Sequence, residues 1–84
     1  LNWILQIDGH TDKNPLKSEL KFEDNWELSQ ARALSVVRYL IKKHNINPKR
    51  LVAAGFGEFQ PIDYGNSERS LARNRRIEIK LTER

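Results

Sequence analysis

The run Trp3-Ile4-Leu5-Gln6-Ile7-Asp8-Gly9-His10-Thr11-Asp12, read with Asn25-Trp26-Glu27-Leu28-Ser29-Gln30-Ala31-Arg32-Ala33, decides the fold. In the first run Trp3, Leu5 and Ile7 alternate with Ile4, Gln6 and Asp8. That period predicts a strand over residues 3–8 with one strongly buried face. The second run opens an amphipathic helix predicted over about residues 26–44. Its core stripe is Ala33, Val36, Val37, Leu40 and Ile41, at the spacing of one helix face. Leu28, Arg32, Ser35 and Tyr39 follow along the edge of that stripe. Asp24 or Asn25 can cap the helix, and Asp24 with Glu27 has capping-box spacing. Lys42, Lys43 and His44 complement the negative C-terminal end.

Between the two runs, residues 13–24 are polar and lysine-rich and read as an exposed loop. Beyond the helix, Pro48 ends a connection and residues 50–54 read as a second strand. Strand, helix and strand at this spacing predict a right-handed parallel βαβ unit. Residues 55–61 form a glycine-rich turn, and residues 68–74 a short helical turn. In the last predicted strand Ile77, Ile79 and Leu81 alternate with Arg76, Glu78 and Lys80.

At 84 residues the chain makes one domain with a small core. Apolar content is 38% and charged content 31%, with enough Leu, Ile, Val and aromatics to exclude a disordered chain. There is no cysteine, hence no disulfide and no thiolate metal site. No run of about 18 apolar residues occurs. The chain opens inside its first predicted strand, which reads as a domain cut from a longer protein. The net charge of +4 gathers toward the C-terminal end. A basic stripe suits anionic polymers, but Glu68, Glu78 and Glu83 interrupt this one and weaken a nucleic-acid reading.

Asp12 leaves a strand and Arg32 lies near a helix entrance, places where backbone N–H groups lack partners. A carboxylate takes an ammonium, and a guanidinium takes a carboxylate as a planar fork, so the two together suit a zwitterionic ligand. Each has a plainer reading: Asp12 as a turn cap, Arg32 as an ion pair with Glu27 or Asp12. Leu28 reads as packing and Asn25 as a cap. His10 and Asp12 lack the spacing and thiolate partners of a metal site, so His10 reads as structural, hydrogen-bonded beneath the loop. Ser29 lacks a nucleophile elbow. Gly55-Phe56-Gly57 lacks the third glycine of a dinucleotide site. Neither a reaction nor a cofactor is indicated.

Four blocks carry a family resemblance: Gly9-His10-Thr11-Asp12, residues 25–33, Gly55-Phe56-Gly57-Glu58-Phe59-Gln60-Pro61, and residues 74–79 beginning Asn74-Arg75-Arg76. In this order they resemble the OmpA-like peptidoglycan-binding domain over nearly the whole chain. The wording Trp26-Glu27-Leu28-Ser29 resembles the flagellar-motor stator B subunit and related ion-driven motors, including the Zorya defence type. The resemblance implies an α+β, βαβαβ-type two-layer sandwich with a small mixed sheet, spanning residues 1–84. It also implies a strand and a helix ahead of residue 1; without them an open edge and an uncovered sheet face are expected.

By function, the resemblance implies noncovalent binding of peptidoglycan in the periplasm, anchoring a membrane motor or stator to the cell wall. An outer-membrane or lipoprotein anchor is the alternative parent, and a homodimer is compatible with either. Asp12 and Arg32 would clamp the diaminopimelate of the stem peptide, with Thr11 and Leu28 walling the pocket and Asn25 beside it. From Asn74-Arg75-Arg76 one arginine, taken as Arg76, would reach the ligand carboxylate or brace Asp12; pairing with Glu58 or Asp63 is the plainer reading. Two departures stand out: Leu71 replaces an arginine usual three residues before the asparagine, and twelve residues separate Asp12 from Asn25.

Overall fold

The computed structural model describes residues 2–16 and 21–83; the part of the expected loop at residues 17–20 lies outside the described residues. Three strands, β1 (Trp3–His10), β2 (Leu51–Gly55) and β3 (Arg76–Glu83), form one sheet in the order β2-β1-β3. Helix α1 (Asn25–His44) joins β1 to β2, and a 3-10 turn (Pro48–Arg50) leads into β2. Helix α2 (Glu68–Asn74) precedes β3. β1 pairs parallel with β2 and antiparallel with β3, so the sheet is mixed, as expected.

Asp24 caps α1 by accepting the Glu27 backbone N–H at 2.9 Å, so Asn25 is left free for another task. At the other end Asn45 takes the left-handed conformation (φ 53°) and returns its N–H to the Leu40 carbonyl. The helix lays Ala33 and Val37 on Ile7, with Val36, Leu40, Ile41, Leu51 and Ala53 around them. This is the stripe that the spacing predicts.

The register shows which sheet face that is. Ile7 lies opposite Ala53 and Ile79, Leu5 opposite Leu51 and Leu81, and Gly9 opposite Gly55 and Ile77. Helix α1 covers this face over β1 and β2. On β3 the same face stays open: Ile77, Ile79 and Leu81 are 37%, 58% and 71% exposed. The open edge and uncovered face expected of this arrangement are therefore both present.

Gly9 and Gly55 set how closely α1 approaches. A Cβ on Gly9 would fall 2.1 Å from the Ser29 carbonyl oxygen, and one on Gly55 would fall 2.6 Å from the Gln30 nitrogen. Only two side-chain-free residues in register let the helix entrance rest on the strand exits. Ser29, fully buried, fastens the contact by accepting the Gly57 N–H at 2.9 Å and donating to the Trp26 carbonyl at 3.0 Å. Among the described residues no helix is long and apolar enough to cross a membrane.

Candidate functional site

Because α1 starts directly over the ends of β1 and β2, residues from its first two turns stand beside the segment leaving β1. A cavity of about 460 Å³ opens there. Asp12 and Thr11 line it from the strand exit, and Asn25, Leu28 and Arg32 from α1. Asn14, Pro15, Leu16 and Arg75 complete the lining. Five of the six residues singled out from sequence thus share one cavity.

The floor is rigid. Thr11 donates its N–H to Gly57 at 2.9 Å and its hydroxyl to the Asp12 carbonyl at 2.8 Å. Asn25, 7% exposed, ties the walls together: its amide nitrogen lies 3.2 Å from the Asn14 carbonyl, 3.4 Å from that of Asp12 and 3.3 Å from the Glu58 carboxylate. The Asp12 carboxylate accepts the Asn14 N–H on one oxygen at 2.9 Å. Its other oxygen accepts from the Arg75 guanidinium at 2.7 Å. Arg75 also binds Glu68. The Asp12 carboxylate first, and Glu68 second, raise the Arg75 pKa above its ordinary value. Arg32 is exposed and pairs with no carboxylate among the described residues.

The sixth residue, Arg76, does not line this cavity. It donates to Glu78 at 2.5 Å and to the carbonyls of Asn74 and Gln60 at 3.2 and 2.9 Å. The reason is strand phase. Arg76 lies opposite His10 in the register, in step with Glu78 and Lys80, on the face away from α1. Arg75, just before the strand, is the arginine that meets Asp12. The signal was in the alternation, since Arg76 shares a phase with the charged residues rather than with Ile77, Ile79 and Leu81. Asn74 fixes the handover: its side chain accepts the N–H groups of Ile62 and Asp63 and donates to the Asp63 carbonyl.

A second charged cluster occupies the face away from α1. Asp8, His10 and Glu78 bring ligand-type atoms within 4.8 Å of one another. Cations already neutralise both carboxylates: Lys80 lies 3.1 Å from Asp8, and Arg76 bonds Glu78, holding its carboxyl below the usual range. His10 corrects an expectation. Among the described residues its ring nitrogens have no hydrogen-bond partner; the ring instead stacks on Phe56, with centroids 5.1 Å apart and planes 9° from parallel. Burial, then the nearby Arg76, lower its pKa. Both effects keep the imidazole neutral and suited to stacking. A further hollow of about 350 Å³, at the start of β1 between Trp3 and Arg50, has no carboxylate in its lining.

The fold and cavity define a small α+β binding domain whose pocket is lined by both a carboxylate, Asp12, and a guanidinium, Arg32, unpaired among the described residues. Comparison with known proteins gives the family. The chain matches the OmpA family over residues 1–75, and it belongs to that family. It is 35% identical over 78 residues to Motility protein B of Bacillus subtilis, covering 93% of this chain and 30% of that protein. It is 35% identical over 74 residues to the peptidoglycan-associated lipoprotein of Pseudomonas aeruginosa, covering 88% and 40%. The structure of a putative MotB-like protein from Desulfovibrio vulgaris superposes with a TM-score of 0.87 at 37% identity, covering 99% of this chain and 51% of that one. The chain thus spans well under half the length of these two sequence relatives.

Proposed function

We propose that this domain binds peptidoglycan without catalysing a reaction, and that its cavity grips the diaminopimelate of the stem peptide. The observation that carries this reading is the lining of one cavity by both Asp12 and Arg32 in a chain of the OmpA family. Asp12 takes the ligand ammonium, Arg32 takes its carboxylate, and Leu28 packs on the methylene chain between them. Opposite charges on two walls compensate the cost of desolvating a zwitterion. The domain works in the periplasm, tethering a membrane-embedded motor or stator to the cell wall. Likeness to periplasmic domains of MotB supports that placement, with a TM-score of 0.88 and 29% identity to the domain from residues 64–256. The match to a peptidoglycan-associated lipoprotein supports a lipoprotein or outer-membrane anchor as the second reading of the parent.

A nucleic-acid module fits poorly. Four of the basic residues near the C-terminal end are spent on acids: Arg73 on Asp63, Arg75 on Asp12 and Glu68, Arg76 on Glu78, Lys80 on Asp8. The test is sedimentation with purified peptidoglycan. The chain should pellet with it, free diaminopimelate should release it, and DNA at physiological salt should not. Release by DNA, with no effect of diaminopimelate, would overturn the reading.

A further inference from the structure

We infer that Arg75 is a positioning residue of the pocket, holding the Asp12 carboxylate toward the cavity so that it can receive the ligand's ammonium. This rests on the peptidoglycan reading above. The two partners are anchored unequally. Asp12 lies in coil two residues beyond the end of β1, in a stretch that carries no helix or strand before Asn25 among the described residues. Arg75 comes from a fixed backbone. It is the C-cap of α2, with its N–H on the Leu71 carbonyl at 3.3 Å, and it follows Asn74, which is 4% exposed and bonded to the 62–63 segment. Set on the end of α2, the guanidinium fixes where the Asp12 carboxylate points.

Arg75 also leaves Asp12 able to bind. A carboxylate offers about four lone-pair sites. Asn14 uses one on the first oxygen and Arg75 one on the second, so acceptor capacity remains for an ammonium. The Asp12 side chain is 12% exposed and that of Arg75 34%, so the pair is partly withdrawn from water. Glu68, 76% exposed, holds the far side of the guanidinium and steadies it. A competitor role would be the opposite outcome: Arg75 would occupy Asp12 and the ligand would have to displace it.

Titration with a soluble tripeptide ending in meso-diaminopimelate separates these. For Arg75→Gln, roughly ten-fold weaker binding is expected. Arg75→Lys, which keeps the charge but loses the fork, should bind between the two. Asp12→Asn with Arg75→Gln should bind no more weakly than Asp12→Asn alone, because Arg75 acts through Asp12. The backbone N–H resonance of Asn14, which reports the Asp12 carboxylate, should move in Arg75→Gln while the melting temperature holds. If Arg75→Gln does not fold, Arg75→Lys carries the test alone. Binding by the Arg75 variants equal to or tighter than the unchanged chain would overturn the inference and leave the pocket reading standing. Absence of tripeptide binding by the unchanged chain would overturn the pocket reading and this inference with it.

Discussion

Asp8 lies within β1 and Asp12 two residues past its end, and the structure treats them in opposite ways. Asp8 points to the face away from α1, fully buried, bonded by Gln6 at 2.8 Å and paired with Lys80. Asp12 meets a cation too, Arg75, but beside a cavity that Arg32 also lines. Both regions are rich in charge. What separates them is room: across the sheet, cations fill the space in front of the carboxylates, whereas Gly9 and Gly55 draw α1 over the strand ends and leave a hollow beside Asp12. Charged residues alone do not make a site; charges facing an unfilled volume do.

The largest expected effect falls on the cavity side. Arg32→Ala should weaken peptidoglycan binding by about 2–5 kcal/mol, because the bound carboxylate would lose its fork. Sedimentation with peptidoglycan beside a thermal melt checks it. An unchanged bound fraction would erase the distinction between the regions.

Gly9→Ala tests why the cavity exists. The new Cβ would meet the Ser29 carbonyl, so strand and helix must separate. The expected cost is about 3 kcal/mol of folding stability, measured by urea denaturation. Binding should weaken as the walls part. Normal stability would show that close approach of α1 is not what shapes the pocket.

How much of this was legible in the sequence follows the same divide. Periodicity alone gave β1, α1 and β3, because apolar and polar residues alternate along the two strands and the apolar residues of α1 recur at helical spacing. Pairing carried β1 on to His10 and β3 on to Glu83, beyond the apolar pattern, since backbone bonds continue where burial stops. The family blocks located Asp12, Thr11, Asn25, Leu28 and Arg32. They did not choose between Arg75 and Arg76, because that choice depends on strand phase against His10 rather than on local composition. The stacking of His10 was likewise hidden. It depends on Phe56, forty-six residues away, whose backbone N–H bonds the Gly9 carbonyl at 3.0 Å.

On the other face, Lys80→Ala should leave the buried Asp8 carboxylate with Gln6 alone. With Lys80 itself half exposed, the expected loss of stability is about 1 kcal/mol, read from the denaturation midpoint. Peptidoglycan binding should not change. If it falls while the chain stays folded, the face away from α1 belongs to the site.

The smallest effect is a pH slope from His10. Its pKa is lowered on folding, so the unfolded chain binds the proton more readily. The stabilisation is complete above the ordinary histidine value of about 6.5 and declines as pH falls from there through the lowered folded value. His10→Phe, which keeps a ring on Phe56, should flatten that part of the slope in denaturation midpoints. Stability that rises as pH falls across this window would reverse the assignment.

The most direct test compares Asp12→Asn with Asp8→Asn, measuring retention on purified peptidoglycan and the melting temperature of each. The account predicts that Asp12→Asn loses retention while melting close to the unchanged chain, and that Asp8→Asn keeps retention while melting lower. Full retention by Asp12→Asn, or loss of retention by a folded Asp8→Asn, would contradict it.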